Sequence, residues 1–163
     1  MSKIKVAVMA LLCITMLAGC GSKEASTKDS EENKTVTVDI ESLADKLATD
    51  ITYEDTLEQV DDDTIGFYVD VADGVKSVMY MGTSGKTAEE VAVFEATDED
   101  TAIQMKENVQ TFLDDQGESF QDYIPEEADR VENAVLVQNG NYVVLCVCGT
   151  PDDAQSIIDK AFK

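Results

Sequence analysis

The segment "VENAVLVQNGNYVVLCVC", Val131 to Cys148, constrains the fold most. Asn139-Gly140 sits between two apolar arms, Val131 to Gln138 and Asn141 to Cys148. Asn-Gly suits a type I′ hairpin turn, in which both central residues take positive φ. The second arm, Tyr142-Val143-Val144-Leu145-Cys146-Val147-Cys148, is apolar without alternation. That pattern belongs to a strand covered on both faces or set centrally in a sheet. The chain must therefore build a sheet around this hairpin.

The remaining elements are placed against that sheet. Asp39 can cap a helix from Ile40 to about Asp50, whose Ile40, Leu43, Ala44 and Leu47 fall on one stripe continued by Ile51. Thr35 to Val38 is a short strand or the end of a tether. Thr52 to Ala72 reads as loop with one helical turn near Asp63 to Tyr68. Val75 to Met81 and Glu90 to Ala96 read as strands joined through Gly82-Thr83-Ser84-Gly85-Lys86, an antiparallel connection. Thr97-Asp98-Glu99-Asp100 opens a long helix carrying Ala102, Met105, Val109, Phe112 and Leu113 on one side, and Gly117 is expected to end or kink it. Phe120 and Tyr123 pack afterwards, and Pro125 closes the segment. Thr150 caps a last helix with Pro151 at its first position and Asp153 completing the box. The expected class is α+β, an antiparallel sheet of about four strands with helices packed on one face, in the order α-β-β-α-β-β-α.

The amino-terminal part follows another logic. Lys3 and Lys5 form a positive region, and Val6 to Ala18 is an apolar run of about thirteen residues. As a helix it would span roughly 20 Å, short of the roughly 30 Å of bilayer hydrocarbon. Leu17-Ala18-Gly19-Cys20 resembles the lipobox of bacterial lipoproteins. That resemblance implies a diacylglycerol thioether on Cys20, cleavage before Cys20, and often acylation of the new amine with a palmitate-type chain. Two or more acyl chains hold a protein on a membrane where one does not. Gly21 to Lys34 is polar and lacks aromatic residues, so it reads as a flexible tether reaching roughly 20 Å. The expected organisation is a signal peptide at 1–19, a lipidated cysteine and tether at 20–34, and a single acidic domain at 35–163.

Charge and composition narrow the function classes. From residue 35 onward the chain has seven basic and thirty acidic residues, a balance of −23. Such a surface is repelled by nucleic acid and by anionic headgroups. It serves colloidal repulsion, or it meets divalent cations, cationic peptides or a basic partner protein. Asp61-Asp62-Asp63-Thr64-Ile65-Gly66 starts like a calcium loop, but Ile65 and Ala72 stand where ligands are needed. The chain has no His, which removes Ser-His-Asp and Cys-His nucleophile systems. No catalytic, cofactor-binding or metal-ligating residue can be assigned. Cys146 and Cys148 share one side of a strand: they are core packing, or a redox or soft-metal pair whose disulfide would be strained. Tyr68, Tyr80, Phe94, Phe112, Phe120, Tyr123, Tyr142 and Phe162 recur at core-facing spacing. The hairpin tip Gly82 to Gly85, flanked by Met79, Tyr80 and Met81, is a candidate contact surface without an assigned role.

"GKTAEEVAVFEATDEDTA" and "SFQDYIPEEADRVENAVLVQNGNYVVLCV", taken with the leader, resemble a group of short lipoproteins from Gram-positive, largely anaerobic bacteria, classed as a domain of unknown function. The resemblance runs from about Val38 to Lys163. It implies a secreted, membrane-tethered domain and brings no activity, cofactor or functional residues; the CVC pair departs from the plain aliphatics usual in such relatives. The expected role is a membrane-anchored extracytoplasmic lipoprotein acting as a non-catalytic binding or accessory module. It would be held to the membrane through lipid on Cys20, with an unknown protein or cationic partner. The alternative is a carboxylate-based or metal-dependent enzyme acting on cell-envelope material.

Overall fold

The computed structural model describes residues 36–163; the leader, Cys20 and the tether lie outside the described residues. Five helices and five strands follow in chain order. They are α1 (Ile40–Asp50), β1 (Leu57–Val60), α2 (Asp62–Tyr68), β2 (Lys76–Gly82), β3 (Glu90–Glu95), α3 (Glu99–Gln121), α4 (Pro125–Glu132), β4 (Val135–Asn139), β5 (Tyr142–Val147) and α5 (Pro151–Ala161). The strands make one antiparallel sheet in the order β1-β2-β3-β5-β4. The class is α+β, as the hairpin and the alternation of elements require.

The hairpin forms, but its turn sits one residue further on than expected: Asn139 is the last residue of β4, and Gly140 and Asn141 are the two central residues. Asn139 faces Tyr142 across it, and Gly140 takes φ 56°. Its first arm is shorter than expected, because Val131 belongs to α4. The second arm, β5, is buried along its whole length between β3 and β4. Both faces of a strand so placed need cover, so the expected packing of helices on one face is corrected. Val91, Val93, Val144 and Cys146 meet α1 and α5 on one side. Ala92, Phe94, Val143 and Leu145 meet residues of α2, α3 and α4 on the other. The described residues form a sheet between two helical layers.

The strand count and order are also corrected. β1, expected as loop, is a four-residue edge strand paired with β2, and neither of its end residues is fully buried. A strand that short, covered only in part, carries little alternation. The expectation that Pro125 closes a segment is corrected by α4. Pro125 occupies the first turn of that helix, followed by Glu126 and Glu127 and balanced by Arg130 in the last turn, the arrangement that suits a helix dipole. Gly117 does not end the helix, since α3 runs on to Gln121.

Capping follows the acids. Asp39, Asp61 and Asp98 accept hydrogen bonds from the N–H groups of Ser42, Thr64 and Thr101. Asp61, the first residue of the failed calcium loop, is thus a helix cap. Thr150 makes no side-chain cap bond, so the capping box expected at α5 does not form. No strand forms over the described residues 36–39; instead Val38 is buried and its N–H donates to Tyr142 Oη at 3.2 Å. Phe94, Phe112, Phe120 and Tyr142 are core residues and Tyr80 and Phe162 are half-buried, but Tyr68 and Tyr123 are exposed. Tyr68 leans on Phe67 and Phe112, and Tyr123 on Phe120, each at the rim of the α3 layer.

Candidate functional site

One end of the sheet gathers the buried chemistry. There β1, β3 and β4 begin while β2 and β5 finish, so the segments before and after them converge. Glu89, the residue before β3, is almost wholly buried. Its carboxylate accepts from the Glu54 N–H at 2.9 and 3.1 Å and from the Asp55 N–H at 2.8 Å. Arg130 of α4 reaches the same carboxylate, with Nη1 at 2.5 Å from Oε1; the angle is outside hydrogen-bond geometry, so the contact is ionic. Arg130 Nη2 donates to Glu54 Oε1 at 2.5 Å and lies 3.4 Å from Glu127 Oε1. Glu127 Oε2 in turn accepts from the Ala88 N–H at 2.7 Å.

A single guanidinium therefore ties the segment before β1, the start of β3 and α4 into one lock. Burial opposes the charge of Arg130, but its bond to Glu54 and the charges of Glu127 and Glu89 outweigh burial and hold it protonated. Each carboxylate oxygen of Glu89 and Glu127 already has a partner. Glu89 so engaged holds the backbone of Glu54 and Asp55, and Glu127 holds that of Ala88.

Beside the lock, Glu90 points to the α3 layer. Among the described residues, the only hydrogen bond to its side chain comes from Gln116 Nε2, at 3.4 Å, and Glu90 Oε1 and Gln116 Oε1 have no partner. Burial pushes the Glu90 carboxyl up to about 8, against a weaker lowering by Gln116. A protonated carboxyl makes sense of both orphans, because its O–H can donate to Gln116 Oε1 while Gln116 Nε2 donates back.

Cys146 and Cys148 are both free thiols and both buried. Tyr53 Oη lies 3.5 Å from the Cys146 sulfur and also donates to the Leu47 carbonyl at 3.0 Å. The neighbouring Cys148 and burial raise Cys146 far above the ordinary thiol range. Cys148 is held below that range by Cys146, with the Thr150 N–H and Arg130 adding to the effect while burial and Glu89 oppose it. The pair packs with Val91, Val144 and Ala154 in the α1–α5 layer. The hairpin tip Gly82 to Gly85 is tied down by Asp55, which accepts from Ser84 N–H at 2.8 Å and Ser84 Oγ at 2.5 Å. A Cβ on Gly82 would meet Asp55 Oδ2 at 2.9 Å, so this approach needs glycine. Among the described residues no group of three or more His, Cys, Asp or Glu is arranged to hold a metal ion.

The open feature lies on the α3 side. A groove of about 510 Å³ runs between α3 and α4 and reaches the start of β4. Leu113, Ala128 and Val131 form a buried floor continued by Ala134 and Leu136. Asp114, Glu118 and Glu132 stand exposed around it. Gly117 lines it, and a Cβ there would touch Val131 Cγ1 at 3.6 Å.

Neither the lock nor the groove is named by sequence reading alone. The signal for the lock is that Arg130 is the only arginine in a strongly acidic chain, and that Glu89-Glu90 lead directly into the apolar run of β3. A lone guanidinium among so many acids is bound to be shared. Cys20, the one site residue assigned from sequence, falls outside the described residues.

Comparison with curated proteins and with solved structures gives no match. The family described as Domain of unknown function (DUF4358) matches residues 67–148, from the end of α2 through β5, a stretch that holds β3, Glu89, Glu127, Arg130 and both thiols. That stretch covers half of the chain, and the chain belongs to the DUF4358 family.

Proposed function

We propose that this protein is a membrane-anchored extracytoplasmic lipoprotein whose folded domain acts as a non-catalytic binding or accessory module. The single observation that carries the reading is the order of the leader: Lys3 and Lys5, the apolar run Val6 to Ala18, then Leu17-Ala18-Gly19-Cys20 and a polar tether. It is the arrangement of the short Gram-positive lipoproteins that the sequence resembles. Acyl chains on Cys20 would hold the domain at the outer face of the membrane. Two features of the domain support a binding role. The buried carboxylates of the Arg130 lock are spent on backbone N–H groups, and Glu90, which keeps a free oxygen, is sealed from solvent. No described helix is long and apolar enough to cross a membrane, so a tether through Cys20 would supply the attachment.

Intact-mass analysis of the protein extracted from native membranes tests the anchor. The expected species starts at Cys20 and carries a diacylglyceryl group; an unprocessed amino terminus without fatty acid overturns the reading. Capture from the native envelope, using the full chain as bait, tests the binding role.

A further inference from the structure

We propose that the α3–α4 groove is the docking site for a cationic amphipathic segment of a partner protein. The segment would set an apolar side chain on the floor of Leu113, Ala128 and Val131, and pair lysine or arginine with Asp114, Glu118 and Glu132. The inference deepens the binding-module reading and rests on it.

Two independent properties of the groove argue for this occupant. The floor is continuous with the core on the α3 side of the sheet, yet about 510 Å³ above it is unfilled. That volume lies in the range of built ligand sites and accepts one or two side chains of leucine size. The rim gives the sign of the partner. Its charged lining residues are all acidic, and no basic side chain takes part. Arg130, the nearest arginine along α4, is spent on Glu54, Glu89 and Glu127.

The wider field points the same way. Thirty acids against seven bases attract a cationic partner and speed its encounter. They repel a second copy of this chain, nucleic acid and anionic headgroups. Ala134 and Leu136, half-buried beside the floor, leave apolar surface open in the groove, so the partner needs both charge and an apolar anchor. A polypeptide segment with leucine-type residues between lysines has both.

Gly117 lets the two contributions be separated. Gly117→Leu projects a side chain toward Val131 and fills the groove without changing charge. Combined Asp114→Lys, Glu118→Lys and Glu132→Lys reverses the rim without touching the floor.

The test uses the full chain in detergent micelles and fluorescence anisotropy of two labelled peptides of equal charge, one of leucine and lysine and one of serine and lysine. Wild type is expected to bind the leucine peptide saturably and the serine peptide far more weakly. The rim reversal and Gly117→Leu should each weaken the leucine peptide about tenfold or more, while a charge-matched reversal at Asp45, Glu58 and Asp159 leaves most of the affinity. Absence of saturable binding, equal binding of the two peptides, or equal loss in the rim and control variants overturns the groove. These outcomes do not depend on the anchor, which mass analysis tests alone, nor on whether envelope capture finds a partner elsewhere on the surface.

Discussion

Arg130 Nη1 lies 2.5 Å from Glu89 Oε1, with both side chains largely withdrawn from water. The pair joins α4 to the start of β3, elements far apart in sequence, across the end of the sheet. Removing one partner of a buried pair leaves an uncompensated charge, which costs more than the pair itself is worth. Arg130→Met is therefore expected to destabilise the fold by about 3–5 kcal/mol, since Glu89 and Glu127 both lose their cation. Combining it with Glu89→Gln should recover part of that loss. Urea denaturation of the three proteins measures it; an unchanged midpoint for Arg130→Met would show that the lock carries no stability.

Gly117 sits within α3, and helix interiors pay about 1 kcal/mol for glycine relative to alanine. The Cβ of an alanine would meet Val131 Cγ1 at 3.6 Å, an ordinary van der Waals contact. Gly117→Ala is expected to stabilise the protein by up to about 1 kcal/mol. A lowered melting temperature would mean that α3 needs glycine for a reason other than space.

What the sequence makes legible follows from how locally each element is determined. The cap Asp39 and the stripe Ile40, Leu43, Ala44, Leu47 are specified by neighbours in the chain and form as expected, while the hairpin turn and the cap of α3 form one residue beyond the expected Asn139-Gly140 and Thr97, at Gly140-Asn141 and Asp98. The unbroken apolar run of β5 already calls for cover on both faces, a demand that a single helical layer cannot meet. Pro125 misleads because proline stops one helix and starts another with equal ease; the acids after it and Arg130 at the far end decide between the two. The lock is not legible, because Glu54, Glu89 and Arg130 meet only when the sheet closes. The groove depends likewise on the approach of α3 to α4, which no periodicity reports.

Cys146 and Cys148 are nearly inaccessible in the folded state, so both should resist iodoacetamide until the protein unfolds. Residual labelling should fall on Cys148, which Cys146, the Thr150 N–H and Arg130 hold below the ordinary thiol range. Cys146→Ala removes the largest of these influences, and the pH at which Cys148 begins to label should rise. Peptide mapping distinguishes the two sites from Cys20. Rapid labelling of both thiols in native protein would place them in a reactive site and not in the core.

Glu90 makes the sharpest pH prediction. Its folded value is pushed up to about 8 by burial, from 4.5 in an exposed carboxyl. Between those values the folded state keeps the proton and the unfolded chain releases it, so the unfolded state binds fewer protons and stability falls as pH rises. The contribution is whole below about pH 4.5, declines through neutrality and is gone once pH passes the folded value. Each pH unit between the two values is worth about 1.4 kcal/mol, so a loss of a few kcal/mol accumulates by pH 8. Glu90→Gln keeps the size and the exchange of hydrogen bonds with Gln116 but cannot ionise. The variant should match wild type near pH 4.5 and exceed it increasingly toward pH 8. The many exposed acids act on both proteins alike, so the difference between the two unfolding free energies isolates this carboxyl. Gln116→Leu, which removes its only hydrogen-bond partner, should change the absolute stability while leaving that slope in place, because burial sets it. Parallel profiles for wild type and Glu90→Gln would mean that Glu90 is ionised at neutral pH, and the paired orphan oxygens would then need another explanation.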